Sequence, residues 1–590
     1  LGWCRLPVLE HPRAGTDGAR GAARLGVLYA ADAYANAQRK MGRQQAGVGL
    51  LGALIDACPG PSFTIAAPRQ EDLSGLKQEL RGRRPQLPLH LWPLDKLDRL
   101  TGVEALFVAD PNLARWAELR QWHAAGSGAW SLIGLTHTLS SLGALEALRR
   151  FPAAPLQPWD ALICTSRCAR AAVQEVLAHE AEALARRFGG DVSRWAAPQL
   201  PVIPLGCDVE SFAGLAQQRP AARAALQLPP EQPVLLFVGR LEFHVKAHPG
   251  VLLQALARVA QSRATAQPSS PPPCVLVLGT AQNNATLRAW QQAQAHFKPW
   301  FELRLLDGAN PQLSNQAWAA ADVFVSLADS LQETFGLTPV EAMACGLPVI
   351  ASDWNGYRDT VVHGATGLLI PTSQPGPDAG HTLADLSLGR LSYDAAMATA
   401  MRQVVVAEEP LVAALGQLLG DAALRQRLGE AGRRRVQEHY SWPHVIGQIQ
   451  ALAGELNQRR AAAGSLAASQ SARQPARPGP TPWRQFASWP TRTHRWQGEL
   501  RLEPQRVLQR LHDMETLRIY SSLSTAAEPS LQLPALVPLA QLLRQLCLGQ
   551  HEPLCLDLVV LAAQLPCQTT TDLQQALAWL AKIGALELPA

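Results

Sequence analysis

The sequence predicts an α/β protein with two doubly wound domains in tandem and a small, mainly helical module at the carboxyl end. Short apolar runs rich in β-branched residues alternate with helix-like segments from residue 24 onward. This alternation is typical of buried parallel strands joined by crossover helices. The pattern restarts near residue 200, and the 590 residues exceed what a single core normally serves.

The first domain is predicted over residues 24–200. The stretch MGRQQAGVGLLGALID, residues 41–56, has the spacing of a helix and follows the first strand. The predicted strands are RLGVLYA (24–30), SFTIAA (62–67), LHLWPL (89–94), EALFVAD (104–110), WSLIGLTHTL (130–139) and DALICTS (160–166).

The second domain is predicted over residues 201–438. Its predicted strands are LPVIPLG (200–206), PVLLFVGR (233–240), CVLVLGT (274–280), FELRLLDG (301–308), ADVFVSL (321–327), PVIASD (348–353) and TGLLIP (366–371). Ligands of such folds bind beyond the carboxyl ends of the strands. Two facing domains therefore predict a ligand in the cleft between them.

The rest of the chain is predicted as a helix over residues 439–458, a linker over 459–482 and a helical accessory module over 483–590. The linker is rich in Ala, Arg, Gln, Ser and Pro and has no apolar period. Between residues 481 and 590, nine Lys and Arg residues balance nine Asp and Glu residues. That balance argues against nucleic-acid binding, even if the module is a winged helix. Protein contact, dimerisation and a plain helical appendage stay open.

Composition excludes several classes of protein. The formal net charge of +5 is small for this length and does not indicate a nucleic-acid partner. The ten cysteines show no zinc-type spacing, and reduced cysteines are expected. No stretch reaches the roughly 18 apolar residues of a membrane span, and the first residues lack the apolar core of a signal peptide. A cytoplasmic location is predicted, with peripheral contact to the inner membrane as an alternative.

The stretch LQETFGLTPVEAMACGLPVIASD places Glu333 and Glu341 on either side of a Gly and a Pro. One interpretation is structural, because Thr338, Pro339 and Glu341 fit an N-terminal capping box. Capping does not explain Glu333 or the turn that contains Gly336. A glycine there lets the backbone approach a ligand, and the following helix start favours a phosphate or a sugar hydroxyl.

Residues 321–371 resemble the donor-binding half of the family-4 retaining glycosyltransferases, which have the GT-B fold. Glu333 and Glu341 match the E-x7-E motif of that family, and the FGL, PVEAMACGLPV and TGLLI segments agree with it. The resemblance covers about residues 24–458 and is greatest to cyanobacterial-type members, here with a carboxyl-terminal extension. It implies that Glu333 lies against the transferred sugar and that Glu341 binds the ribose. It also implies donor contacts from the backbone of Phe335, Gly336 and Leu337.

A diphosphate site is predicted where the strand PVLLFVGR ends. Gly239 and Arg240 lie at its carboxyl end and Lys246 precedes the next helix. Arg supplies a planar fork and Lys a point charge for phosphate oxygens. Exposed loop residues are the plain alternative, but the family's G-R-L…K pattern favours ligand binding.

Two further residues are assigned to the site from the first domain. His137 follows a strand end and resembles the histidine that reaches the donor sugar in sucrose-type members of the family. Gly42, at the start of the helix after the first strand, corresponds to part of a Gly-rich turn near the phosphate; Met41 stands where a second glycine is usual. The segment HYSWPHVIGQIQALAGEL resembles the helix that crosses back to the first domain, and Trp442 is expected to pack there.

The resemblance implies transfer of a hexose from a nucleoside diphosphate sugar, with retention at the anomeric carbon, to a glycan, lipid or small-molecule acceptor. Catalytic roles are predicted for His137 and Glu333, no cofactor is expected, and no metal is expected because Arg240, Lys246 and backbone amides supply positive charge. A non-catalytic sugar-nucleotide sensor or scaffold and a GT-B epimerase are the alternatives. A Rossmann dehydrogenase is excluded, since LYAADAYANAQRK lacks the G-x-G-x-x-G motif.

Overall fold

The chain divides into two compact units, Leu1–Pro478 and Gly479–Ala590, and the first unit holds both α/β domains. The computed structural model describes residues 24–30, 42–68, 72–73, 76, 80, 83–94, 99–100, 102–121, 123, 125–191, 195, 197–244, 246–377, 379–380, 383–467, 482–489, 498–517, 533–565 and 570–588.

The first domain is built on a parallel six-stranded sheet with the strand order β3-β2-β1-β4-β5-β6. The strands are β1 (Leu25–Leu28), β2 (Phe63–Ala67), β3 (Leu89–Pro93), β4 (Ala105–Val108), β5 (Ser131–Leu135) and β6 (Ala161–Ile163). The central strands β4 and β5 are buried along their whole length, as expected when helices cover both faces of a parallel sheet.

The second domain repeats this topology. Its parallel sheet has the order β12-β11-β10-β7-β8-β9, which is the same Rossmann-like order seen from the opposite edge. The strands are β7 (Val234–Val238), β8 (Cys274–Gly279), β9 (Glu302–Asp307), β10 (Val323–Ser326), β11 (Val349–Ser352) and β12 (Gly367–Ile370), and β13 (Thr372–Ser373) pairs separately with β14 (Val405–Val406). The predicted GT-B architecture is confirmed by the two sheets.

One predicted strand is wrong. Residues 200–206 form no strand of the second sheet and make only an isolated parallel bridge between Val202 and Cys164, beside β6 of the first domain. The physical reason lies in Pro201 and Pro204, which lack the N–H that a ladder requires. The segment instead leads from the first domain into the second.

Helices of the larger unit lie between these strands, and polar residues cap several of them. Ser141, Ser166, Asn283 and Asp421 each accept a hydrogen bond from a backbone N–H in the first turn of the helix that follows. The helices are α1 (Gly42–Asp56), α2 (Leu113–Arg120), α3 (Leu142–Arg149), α4 (Arg167–Phe188), α5 (Val209–Ala216), α6 (Arg219–Ala225), α7 (Gly250–Ala266), α8 (Asn284–Phe297), α9 (Pro311–Ala320), α10 (Leu337–Ala344), α11 (Tyr357–Thr360), α12 (Leu383–Ser387), α13 (Tyr393–Met401), α14 (Glu408–Gly420), α15 (Ala422–His439) and α16 (Trp442–Ala467).

Helix α16 returns to the first domain, where it packs on α1, β4 and β5. Trp442 at its start fills a slot between two glycines: a Cβ on Gly206 would lie 2.2 Å from the indole, and one on Gly49 would lie 2.8 Å from it. Further along, Asn457 Nδ2 donates to Glu104 Oε1 at 2.9 Å. The helix runs to Ala467, beyond residue 458 where the sequence pattern places its end.

The smaller unit, taken by itself, is mainly helical and has its own apolar core. Its elements are α17 (Pro482–Gln485), β15 (Glu499–Leu502), α18 (Pro504–Thr516), α19 (Leu536–Cys547), β16 (Leu554–Asp557), α20 (Leu558–Ala563) and α21 (Thr570–Lys582). Strands β15 and β16 pair antiparallel, and Leu500 and Leu502 point from β15 into a leucine-rich core. In the part of the chain that is described, no helix has the length and apolarity needed to cross a membrane.

Candidate active site

The carboxyl edge of the second sheet carries most of the predicted donor-binding residues. Strands β7 and β10 are neighbours there although β8 and β9 separate them in the chain, so the winding direction reverses at this point. Ligands of doubly wound folds bind in the crevice at such a reversal. Gly239 and Arg240 directly follow β7, and Glu333 lies in the loop after β10, so the fold places all three at the crevice.

Lys246 and Glu333 form an ion pair at this crevice. The Lys246 Nζ lies within hydrogen-bonding distance of the Glu333 carboxylate, and the two side chains are only 14% and 18% exposed. Burial acts to lower the pKa of Lys246, but the charge of Glu333 and the contact with Tyr357 outweigh it, and the pKa is raised. The Lys246 stem passes over Gly239, where a Cβ would lie 3.1 Å from Lys246 Cγ.

Arg240 lacks such a partner. Its Nη2 donates to Gln332 Oε1 at 2.8 Å, and within the described residues it forms no ion pair with a carboxylate. Burial lowers the pKa of Arg240, partly offset by the charge of Glu242. A half-buried guanidinium held by one neutral amide keeps donors available for an anion, which is the arrangement that a phosphate site needs.

The turn before α10 brings backbone close to the crevice. Gly336 is the N-cap residue of that helix, with φ of 95°, and a Cβ there would lie 2.2 Å from Cε1 of Tyr357. Phe335 is buried and its ring centroid lies 6.0 Å from that of Tyr440. Leu337 begins the helix, whose first N–H groups have no partners within it. Residues 335–337 therefore form the turn that leads into α10, and the donor contacts of their backbone amides stay a prediction.

The capping-box interpretation of this helix is wrong. Gly336, not Thr338, is the N-cap residue, and no side chain caps the helix. The Thr338 Oγ1 atom is buried without a hydrogen-bond partner. The physical reason is the left-handed conformation of Gly336, which starts the helix two residues earlier than a threonine cap would.

Glu341 is consequently not used by the helix. Its carboxylate makes no hydrogen bond to any described residue, and burial raises its pKa to about 7, opposed only by the charge of Lys246. An acidic group with a raised pKa and no protein partner is typical of a ligand-binding position.

Tyr357 is a residue of the site that the sequence reasoning missed. It is fully buried on α11, and its hydroxyl lies 2.8 Å from Ser326 Oγ at the end of β10. The Lys246 ammonium lies 5.6 Å from the centre of its ring. Tyr357 therefore supports both the Lys246–Glu333 pair and the Gly336 turn, and no motif around it signals this role.

Asp329 is a second missed residue. It is 5% exposed in the loop after β10, its Oδ2 accepts a hydrogen bond from the His248 backbone N–H at 3.3 Å, and its Oδ1 has no partner. Burial raises its pKa to about 7. It ties the segment after Lys246 to the loop that carries Glu333. Among the described residues, no group of three or more His, Cys, Asp or Glu is arranged to hold a metal ion.

The first-domain residues lie at the carboxyl edge of the other sheet. His137 follows β5, and its Nε2 donates to the Ala109 carbonyl oxygen, which follows β4, at 3.0 Å. Gly42 begins α1, the helix after β1; Met41 lies outside the described residues. These positions surround the β1/β4 reversal of the first sheet, and the role of His137 and of Gly42 toward a donor stays a prediction.

Hydrogen bonds between described residues join the two domains across the cleft. Ser166 Oγ donates to the Thr334 carbonyl oxygen at 2.6 Å. The Nε atom of Arg167 lies 2.6 Å from Oδ1 of Asp359, and the Arg167 backbone N–H donates to Oδ2 of the same carboxylate. The hydroxyls of Ser140 and Tyr393 lie 3.1 Å apart. Each contact places first-domain residues beside the donor loops.

Comparison with known proteins finds a matching family model and sequence relatives. The model of the family described as glycosyl transferases group 1 matches residues 218–377. A D-inositol 3-phosphate glycosyltransferase from Jonesia denitrificans is 28% identical over 341 residues, which cover 56% of this chain and 68% of that protein. The protein of the same name from Mycolicibacterium vanbaalenii is 31% identical over 332 residues, covering 53% of this chain and 67% of the relative.

Solved structures with low identity align along most of the chain. Sucrose-phosphate synthase from Thermosynechococcus elongatus aligns with 20% identity and a TM-score of 0.46, over 75% of this chain and all of that one. Anabaena HepE in complex with UDP-glucose aligns with 14% identity and a TM-score of 0.44, over 75% of this chain and 99% of that one. The sequence relatives and the matched family model show that this chain belongs to the glycosyl transferases group 1 family.

Proposed function

We propose that the protein transfers a hexose from a nucleoside diphosphate sugar to a glycan, lipid or small-molecule acceptor, with retention at the anomeric carbon. The observation that carries the proposal is that two charged side chains at the crevice of the second sheet keep hydrogen-bonding groups that the described residues do not use. Arg240 has no carboxylate partner and Glu341 no hydrogen bond among the described residues. Between them in the chain lies the start of α10, whose first backbone N–H groups have no partner within the helix.

The diphosphate is assigned to the cationic side of this crevice. Arg240 offers its remaining N–H groups, the start of α10 offers backbone amides, and Lys246, which is paired with Glu333, adds an ammonium group beside them. The helix dipole also favours an anion at that end. As the bond to the sugar breaks, negative charge grows on the diphosphate, and these groups stabilise it in a site with little water.

Glu341 is assigned to the ribose. A diol offers two O–H donors, and an ionised carboxylate accepts both. Because burial already raises the pKa of Glu341 to about 7, binding hydroxyls compensates a carboxylate that the fold leaves without donors.

The transferred sugar is assigned to the space between Glu333 and His137. Glu333 is fixed by Lys246, and His137 by the Ala109 carbonyl oxygen, so both are oriented before a donor arrives. The acceptor attacks from the face that the diphosphate leaves, while Glu333 and His137 orient the sugar and offset its developing positive charge. Approach of the two domains excludes water and so limits hydrolysis.

A thermal-shift screen against nucleoside diphosphates and their sugars tests donor binding, because a ligand of the folded state raises the melting temperature. We expect one donor to stabilise the protein, with the effect lost in Arg240→Ala and in Glu341→Gln. Lys298→Ala is the matched control, since it removes the same charge from an exposed helix end.

Turnover is then measured as release of the nucleoside diphosphate in the presence of an acceptor panel that includes inositol phosphates, given the names of the sequence relatives. Retention is read from the anomeric configuration of the product. Binding without turnover across the panel would support the scaffold alternative, and a product epimerised within the nucleotide sugar would support the epimerase. Absence of any nucleotide binding would overturn the proposal.

A further inference from the structure

Helix α13 belongs to the segment between β13 and β14, two short strands of the second domain that pair with each other. We call this segment the excursion. The family model stops at residue 377, so this helix lies beyond the part of the chain that the model matches. The excursion reaches the first domain: α12, which precedes α13, packs on α3. An element outside the matched region therefore spans the cleft next to the predicted donor site.

Tyr393 is the residue of this helix that reaches both sides of the cleft. Its hydroxyl lies 3.1 Å from Ser140 Oγ, three residues after His137 in the first domain. On the other side, burial raises the pKa of the same hydroxyl, and Gln332 and the charge of Arg240 both act to lower it, so the phenol also lies near these two residues. A single phenol thus hydrogen-bonds to the loop of His137 and lies beside Gln332, the hydrogen-bond partner of Arg240.

Hydrogen-bonding capacity gives this row of groups a direction. Gln332 uses its carbonyl oxygen to accept from Arg240, so its NH2 group is the part that can donate to the Tyr393 oxygen. A phenol can accept and donate at once, and its proton is then available to Ser140 Oγ. Arg240, Gln332, Tyr393 and Ser140 therefore follow one another across the cleft with compatible donors and acceptors.

The start of α13 is itself held in place. Ser392 caps the helix by accepting from the Ala395 N–H at 3.2 Å. Asp394, the next residue after Tyr393, lies 3.5 Å from Nε2 of His244, in the loop between Arg240 and Lys246. The phenol is therefore presented by a capped helix end whose Asp394 side chain lies beside the loop between Arg240 and Lys246.

We propose that Tyr393 is a positioning residue for the transfer reaction: through Gln332 it aims Arg240 at the diphosphate, and through Ser140 it holds the His137 loop against the donor. Binding of the diphosphate by Arg240 and approach of the first domain then depend on the same residue. Water is excluded only when both have occurred. This inference rests on the proposed function, because it assigns a task to Arg240 and His137 as donor contacts.

The test compares Tyr393→Phe with the wild-type protein, using the nucleoside diphosphate sugar identified by the thermal-shift screen. The substitution keeps the ring and removes the hydroxyl. We expect the KM for the donor to rise and kcat to fall, each by about three- to tenfold, the effect of one neutral hydrogen bond. The fraction of donor lost to water rises as well, while the melting temperature without ligand stays close to that of the wild type.

Two further variants, Ser140→Ala and its combination with Tyr393→Phe, separate the role of the contact with the first domain from that of the contact with the second domain. Ser140→Ala should lower kcat and raise donor hydrolysis while affinity for the nucleoside diphosphate stays within about twofold, because the Tyr393 hydroxyl remains beside Gln332, the partner of Arg240. Combined with Tyr393→Phe, it should add no further loss in kcat, as expected for residues of one network. Thr399→Val is the control, since it removes a hydroxyl of the same helix whose described partner is Arg402.

A Tyr393→Phe protein with wild-type KM, kcat and hydrolysis would overturn the inference and leave the proposed function standing. Additive losses of kcat in the double variant would overturn the coupling between diphosphate binding and the approach of the first domain. A wild-type protein that neither binds nor turns over any donor would overturn the proposed function, and this inference with it.

Discussion

Ser166 of the first domain and Thr334 of the second share a hydrogen bond: the serine Oγ donates to the threonine carbonyl oxygen at 2.6 Å. The same Oγ accepts from the Ala169 N–H at 3.0 Å and so caps α4. Thr334 is the neighbour of Glu333 in the chain. The cap of a first-domain helix therefore also fixes the backbone of the loop to which we assign the donor sugar.

Removing this hydroxyl is expected to weaken donor binding. Ser166→Ala loses both a helix cap and the contact across the cleft, whereas Ser141→Ala loses a cap of the same kind on α3, and among the described residues the Ser141 hydroxyl makes no hydrogen bond to the second domain. Both should lower the free energy of unfolding by about 1 kcal/mol. Only Ser166→Ala should reduce affinity for the nucleoside diphosphate sugar, by about three- to tenfold. Equal affinities in the two variants would contradict the cross-domain role.

Donor binding should strengthen as the pH rises through about 7, because Glu341 loses its proton near that value and only the carboxylate accepts two ribose hydroxyls. Dissociation constants measured on both sides of this pH should show the change. The profile should become flat in Glu341→Gln and keep its slope in the exposed control Glu231→Gln. A sloping profile in Glu341→Gln would mean that another group titrates.

Glu341→Gln should also stabilise the unliganded protein at high pH. The pKa of Glu341 is about 7 in the folded protein, whereas the ordinary pKa of a free glutamate is 4.5. The folded state binds more protons between these values, so wild-type stability falls as the pH rises through this window. The variant should be more stable above pH 7 by about 1–2 kcal/mol, allowing for the partial exposure of the side chain, and equal to the wild type below 4.5. Chemical denaturation at the two extremes measures this difference.

Gly336→Ala should damage both stability and binding. A Cβ at this position would lie 2.2 Å from the Tyr357 ring, and φ is 95°; the conformation alone costs a non-glycine residue about 1–2 kcal/mol, and the overlap adds about 1–3 kcal/mol. Gly364→Ala is the matched control, since φ there is 75° and the space around it is open. We expect the control to lose only the conformational part and to keep donor affinity. A Gly336→Ala protein as stable as the control would show that Tyr357 moves aside freely.

The first domain depends on a buried ion pair. Arg120 contacts Asp160 with two hydrogen bonds of 2.7 Å, and both side chains are fully buried. Arg120→Met should lower the free energy of unfolding by about 3–5 kcal/mol, because it leaves a buried carboxylate without its cation. Arg149→Met should cost less than about 1 kcal/mol, since its pair with Glu180 is partly exposed. Comparable losses in the two variants would show that burial of the pair is not decisive.

Most of the strands could be predicted from sequence because their signals are local. Apolar runs mark buried parallel strands, and the E-x7-E motif marks Glu333 and Glu341, which lie in the loop after β10 and within α10; their donor contacts stay a prediction. The sequence predicts the wrong start for α10 because a glycine in the left-handed region competes with a threonine cap. The sequence alone does not show which of the two residues becomes the N-cap. The segment 200–206 is wrongly predicted as a strand of the second sheet because its apolar pattern outweighs the opposing signal of Pro201 and Pro204.

Contacts between distant parts of the chain could not be predicted in the same way. Ser140 and Tyr393 are separated by 253 positions, and Ser166 and Thr334 by 168. Each of these residues has an ordinary local explanation, as a cap or a loop hydroxyl. Nothing in the spacing of one sequence indicates that the fold brings them together.

Helix α16 makes the first domain discontinuous in sequence. The slot for Trp442 lies between Gly49 and Gly206, and Glu104 is bound by Asn457 from the far end of the helix. A fragment cut near residue 200 would expose the apolar surface of α1, β4 and β5 that α16 covers. Any attempt to prepare that half in isolation therefore has to supply α16 as a separate peptide or by grafting it onto the truncated chain.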